Sequence, residues 1–244
     1  QPAPTPTALL RDPIRLLDEP TRWGTWQTYD RLPTFDELTP IPQLALLRTR
    51  ITGDQAGVLA FGEVRDRAAV FLDGDHVGTL LREHHDRAIA LPRPHGELLV
   101  LVEDQGRVDY GERIGEAKGL IGGAVLNEQS LSTWDVMPID MAVVPHLRAD
   151  SAALSGPLAG PVLLRAEFDL EQPADLFLDT LNWGKGMAWL NGFALGRYWR
   201  RGPQRTLYVP RPAVRAGTNE IVVLELGTML QPDVRFVPHP LLGH

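Results

Sequence analysis

Short runs rich in Val, Leu, Ile and Phe recur along the chain, and 21 prolines and 23 glycines break them up. That punctuation predicts strands joined by turns, and helix-length amphipathic periods are scarce. The runs also repeat. Leu46-Leu47-Arg48-Thr49-Arg50-Ile51 is matched by Leu163-Leu164-Arg165-Ala166-Glu167-Phe168, each with an apolar residue three positions after Leu-Leu-Arg. Val70-Phe71-Leu72-Asp73-Gly74-Asp75-His76-Val77-Gly78 is matched by Ala188-Trp189-Leu190-Asn191-Gly192-Phe193-Ala194-Leu195-Gly196. Asp-Gly and Asn-Gly suit the positive φ angles of a two-residue type I′ turn, so both read as hairpins. The third pair is a glycine followed by an apolar strand, from Gly96 and from Gly217.

Three elements in one order, about a domain length apart, predict two copies of one all-β sandwich. We place the first copy at 34–149 and the second at 150–244, with the boundary in the Ser/Gly/Pro-rich stretch 145–161. Residues 1–33, with six prolines, read as an extended lead-in anchored by Trp23 and Trp26.

Composition narrows function by exclusion. At 244 residues, 43% hydrophobic and 23% charged, the chain has the make-up of globular domains. No run approaches the roughly 20 apolar residues of a membrane helix, and the first residues lack signal-peptide order. A net charge of −7 argues against nucleic acid as a partner, since phosphate binding needs clustered cations. Cysteine is absent, which excludes disulfides and thiolate metal sites. Lys118 and Lys185 are the only lysines, and this bias toward arginine is given no functional weight.

Two stretches carry a family resemblance. Leu101-Val102-Glu103-Asp104-Gln105-Gly106-Arg107-Val108-Asp109-Tyr110-Gly111, followed by Lys118-Gly119-Leu120, resembles a segment of glycoside hydrolase family 35 β-galactosidases. Trp183-Gly184-Lys185-Gly186, Trp189-Leu190-Asn191-Gly192-Phe193, Leu195-Gly196-Arg197-Tyr198-Trp199 and Thr206-Leu207-Tyr208-Val209-Pro210 resemble the same family's galactose-binding-like domain. The match is colinear from about Pro33 onward. Asp109 stands where the family usually has Asn, and the residues after Leu38 depart from its usual entry into the first strand.

The resemblance implies two tandem jelly-roll sandwiches and a partner, the family's catalytic (β/α)8 barrel, whose paired glutamates hydrolyse terminal β-D-galactosides with retention. That barrel has no counterpart in these residues, so this chain is expected to be non-catalytic and to need no metal or other cofactor. Asn127-Glu128 and Asn219-Glu220 imitate the family's acid/base pair but read as turns. His84, His85 and Asp86 read as a solvated loop rather than metal ligands.

Tyr110, in a polar loop bracketed by glycines, is the leading candidate contact. The resemblance implies that it borders the substrate pocket, with Arg107 bracing the loop or pairing with a barrel carboxylate. Trp189 reads as core. Trp183, Tyr198 and Trp199 could form a platform for the apolar face of a galactoside, or could simply pack. Three functions follow: an accessory region finishing the barrel's pocket rim, a stand-alone galactoside-binding module requiring an exposed Trp183 or Trp199, and a purely structural partner with a broad apolar patch.

Overall fold

The structure is a computed structural model that describes residues 2–149, 154 and 156–243. It divides the chain into two compact units, one of residues 23–141 and one combining 1–22 with 142–244. Both are all-β sandwiches. The domain boundary expected at residue 150 lies outside the described residues.

In the first sandwich one sheet runs Gln27–Tyr29, Trp134–Ile139, Leu44–Thr52, His95–Glu103, Arg67–Leu72, Asp75–Leu81. Facing it is a sheet ordered Gln129–Ser130, Gly119–Leu126, Val58–Arg65, Ala88–Ala90. The long strands Leu44–Thr52 and His95–Glu103 are buried over most of their length, as continuous apolar runs require. The core gathers Leu47, Val70, Val100, Leu120 and Trp134 between the sheets.

The second sandwich repeats the plan. One sheet runs Arg11–Arg15, Val162–Leu170, Gly217–Glu225, Lys185–Leu190, Phe193–Trp199, and the other Thr7–Leu9, Asp233–Val237, Leu176–Asp179, Thr206–Val209. Its core holds Leu164, Leu178, Trp183, Ala188, Val223 and Phe236.

The duplication holds in register. Leu46 pairs with Leu101 and Leu163 with Leu224, while Leu72 pairs with Leu98 and Leu190 with Ile221. Both hairpins carry a bulge at the same place, between Val70 and Phe71 and between Ala188 and Trp189. At the turns φ is positive at Asp73, Gly74, Asn191 and Gly192. Asp73 N–H donates to the Glu97 carbonyl at 2.9 Å and Asn191 N–H to the Glu220 carbonyl at 2.8 Å. In return Glu97 N–H donates to Asp73 Oδ1 at 2.8 Å, and Glu220 N–H to Asn191 Oδ1 at 3.0 Å. The Asp or Asn side chain therefore ties its hairpin to the neighbouring strand as well as tolerating the turn.

Three expectations need correction. Gly217 is not the counterpart of Gly96: with Leu98 answering to Ile221, it stands two positions earlier. Asn219 and Glu220 lie inside a strand rather than in a turn, Asn219 being wholly buried among bonds to Arg215 and Gly217. Residues 1–33 are not a linker: they form paired strands, one of which carries Pro13 at a sheet edge where the register shifts. Thr7–Leu9 pairs with Asp233–Val237, Arg11–Arg15 with Val162–Leu170, and Gln27–Tyr29 with Trp134–Ile139. Asn127-Glu128 is a turn, with φ of 47° and 70°.

Candidate functional site

The first sandwich carries a cleft of about 900 Å³ beside the loop that joins His95–Glu103 to Gly119–Leu126. Charged side chains line it, among them Glu63, Asp66, Arg82, Arg113 and Lys118. Asp66 occupies the turn between Val58–Arg65 and Arg67–Leu72, and Lys118 closes the loop just before Gly119. Lys118 Nζ donates to both Asp66 oxygens, at 2.9 and 2.8 Å, and its side chain is 2% exposed. Arg82 Nη1 donates to Asp66 Oδ1 at 2.9 Å, and Gln105 N–H to Oδ2 at 2.9 Å.

Burial works to raise the Asp66 carboxyl, but the bonds from Lys118, Arg82 and Gln105 outweigh it and hold it below the usual range. Glu116, also buried, is lowered against the same penalty by Arg82 and Arg113. Arg65 and Arg113 bring Glu63 down to about 2, with hydrogen bonding to Arg65 the largest cause. The network thus stays ionised at neutral pH and fixes both ends of the loop. Sequence reasoning missed it, although its centre, Lys118, was one of only two lysines and sat in the Lys-Gly-Leu motif. In a chain otherwise built on arginine, that was the available signal.

Arg107 donates to Asp36 Oδ1 at 2.6 Å and lies 3.3 Å from Asp104 Oδ2. Asp36 Oδ2 also accepts Lys118 N–H at 3.0 Å, and Gly106 N–H donates to Asp104 Oδ1 at 2.8 Å. Between these ties and Arg113 stands Tyr110, 90% exposed, with Ile114 at 62%. The loop therefore presents an aromatic ring to solvent from a base held by ion pairs.

The residues suggested as a sugar platform are placed differently. Trp183 is wholly buried and Tyr198 is 3% exposed, their rings edge-on at 5.2 Å between centroids. Trp183 Nε1 donates to the Asp233 carbonyl at 3.1 Å. Neither ring has a face for a ligand, and a platform built on them is excluded. Trp199 is half-buried, with Lys185 Nζ at 4.7 Å and Arg201 Cζ at 4.6 Å from its ring centroid. Trp189 is core.

The Trp-Gly-Lys-Gly motif is explained by Glu225, fully buried. It accepts N–H bonds from Gly184, Lys185 and Gly227 at 2.9, 3.0 and 2.7 Å and the Tyr198 hydroxyl at 3.1 Å. A Cβ at Gly186 would stand 1.8 Å from the Leu224 carbonyl oxygen, and one at Gly184 2.8 Å from Glu225 Oε1. Backbone must come this close for the carboxylate to be satisfied. Lys118 and Lys185, given no weight in the sequence, are both buried, Lys118 among carboxylates and Lys185 with its backbone N–H on Glu225 and its Nζ over the Trp199 ring.

His84 and Asp86 approach at 3.8 Å, and Asp86 Oδ2 accepts Leu81 N–H at 3.0 Å. Among the described residues no group of three or more His, Cys, Asp or Glu side chains could hold a metal.

Two sandwiches of one plan, the first carrying a braced aromatic loop, define a module of paired jelly-roll domains. Residues 34–140 match the family described as Beta-galactosidase, first all-beta domain, and residues 161–219 the Beta-galactosidase, galactose-binding domain. A Beta-galactosidase of Xanthomonas manihotis is 35% identical over 247 residues, covering 96% of this chain and 39% of its own length. Human Beta-galactosidase-1-like protein 2 is 34% identical over 239 residues, covering 96% of this chain and 37% of its own. The chain belongs to the β-galactosidase family as its all-β accessory domains, and spans less than two fifths of these relatives.

Proposed function

We propose that this chain serves a β-galactosidase by docking its first sandwich against the catalytic (β/α)8 barrel, where the 104–118 loop completes the rim of the substrate pocket. The barrel performs retaining hydrolysis of terminal β-D-galactosides, and this chain contributes shape. Tyr110 borders the bound sugar, and Arg107 braces the loop through Asp36 and Asp104.

The observation carrying this reading is the exposure of Tyr110 on a loop otherwise tied down by Arg107, Arg113 and Lys118. Large aromatics are costly to leave in water, and a scaffold that fixes one there is shaped to meet a partner. The test is kinetic. The chain alone should leave a chromogenic β-galactoside intact. Joined to the barrel, Tyr110→Ala should lower kcat/KM by about tenfold or more, with thermal stability unchanged. Unaltered kinetics would remove Tyr110 from the rim, and cleavage by the isolated chain would overturn its non-catalytic role.

A further inference from the structure

The second sandwich does expose an aromatic surface, on strands that carry none of Trp183, Tyr198 and Trp199. Along Leu176–Asp179 and Thr206–Val209, Leu176, Leu178, Leu207 and Val209 point into the core, while Phe177 and Tyr208 face outward. The two are cross-strand partners, with ring centroids 5.9 Å apart at 40°, and Tyr208 is 54% exposed. Val237, the partner of Phe177 on its other side, extends the row.

Polar groups fringe it. Asp175 Oδ1 accepts both the Tyr208 hydroxyl at 2.7 Å and Arg211 N–H at 2.8 Å, so Oδ2 remains able to accept a further donor. A cleft of about 840 Å³ adjoins Phe177, with Asp175, Gln172, Glu171 and His239 in its lining, a volume that suits one or two sugar rings. The matching strands of the first sandwich turn Val58, Ala60, Gly62, Glu63, Arg65, Ala88 and Ala90 away from the core, none of them aromatic, so the shared architecture does not require aromatics there.

We propose that Phe177 and Tyr208 form a carbohydrate subsite that receives the apolar C–H face of a terminal galactosyl unit, with Asp175 accepting its hydroxyl protons. The axial 4-hydroxyl of galactose leaves three ring C–H bonds together on one face, the surface a tilted aromatic pair can cover. The choice of galactose among hexoses rests on the proposed role beside a galactosidase, whereas the platform rests on its own geometry.

The experiment is titration of the chain with methyl β-D-galactoside, read by saturation transfer and by chemical-shift changes of the Tyr208 and Phe177 rings. Millimolar binding is expected, with shifts at both rings. Tyr208→Ala should weaken it at least about tenfold while far-UV circular dichroism is unchanged, and Tyr208→Phe should retain most of it. Asp175→Asn should weaken it less than Tyr208→Ala. Absence of binding, full binding by Tyr208→Ala, or shifts at Trp199 instead would each overturn the subsite. Equal binding of methyl β-D-glucoside would overturn the galactosyl assignment. None of these outcomes bears on Tyr110, whose kinetic test is separate.

Discussion

In the first sandwich the strand beside Leu44–Thr52 and the edge of the smaller sheet come from its own last strands, while the second takes the equivalent strands from residues that precede the first. Trp134–Ile139 lies beside Leu44–Thr52 in one, and Arg11–Arg15 occupies the same slot beside Val162–Leu170 in the other. Likewise Gln129–Ser130 edges one smaller sheet and Thr7–Leu9 the other. In the order of the chain, the first sandwich is an insertion within the second. Two copies of one fold therefore differ in what completes them: chain from the same continuous segment in one, and in the second a segment more than 140 residues distant, on the far side of the other sandwich in chain order.

The sharpest way to break that comparison is to delete residues 2–16. Leu10, Ile14 and Leu16 are each 3% exposed or less. At about 1.5–3 kcal/mol per buried side chain, their loss approaches the whole stability of a small domain, and both sheets gain an open edge. The second sandwich is expected to unfold and the first to persist. Limited proteolysis should leave a resistant fragment near 23–141 and degrade 142–244. Protection of both would mean that the borrowed strands are dispensable.

A smaller effect is expected from Lys118→Met, which removes the cation between Asp66, Asp104 and Glu116. Breaking a buried pair costs about 3–5 kcal/mol when the partner charge is left alone, and here Arg82 and Gln105 still hold Asp66, so a loss of about 2–3 kcal/mol is expected. The loss should fall on the first sandwich alone, seen as a denaturant midpoint lowered for amides of 23–141 and unchanged for 142–244. An equal loss in both would show that the two units unfold together.

These contrasts mark what the sequence could convey. The all-β class, the duplication and both hairpins were legible because strand periodicity and Asp/Asn-Gly turns are local signals. The role of residues 7–15 was not, since pairing with strands roughly 150 to 230 residues away leaves no local trace and the prolines spoke for a linker. The exposure of Tyr110 was legible from its glycine-bracketed loop. Trp183 and Tyr198 misled because an aromatic's type does not report its burial, and Phe177 and Tyr208 were overlooked because alternation shows two faces without saying which meets water.

Acid should separate the sandwiches by sign. In the first, Glu63 at about 2, with Asp66, Glu116 and Asp36 also lowered, contributes stability that is complete above the ordinary value near 4.5. That contribution is lost as pH falls from about 4.5 toward 2. In the second, burial raises Glu225 against its hydrogen bonds. The folded state then binds its proton more readily than the unfolded chain, so Glu225 adds stability as pH falls toward 4.5. Amide exchange followed across this range should show protection of 23–141 falling below pH 4.5, with Glu63→Gln flattening that limb. Glu225→Gln should remove the gain in 142–244.

The finest test asks whether the two hairpins are equal, as their shared register and bonds require. Gly74 and Gly192 have φ of +84° and +83°, and a Cβ at either would meet nothing within 4 Å. Gly→Ala at each therefore probes backbone preference with no steric contribution, and about 1–2 kcal/mol is expected from the left-handed conformation. Because Asp73 and Asn191 share one reciprocal pair of bonds to the neighbouring strand, and the further Asn191 Nδ2 bonds do not involve the glycine, the two costs should agree within about 0.5 kcal/mol, read as matching shifts in each sandwich's own transition. A larger cost at Gly192 would mean that the sandwich lacking its own closing strands depends more on its hairpin. Equivalence of the copies would then stop at geometry and would not extend to energy.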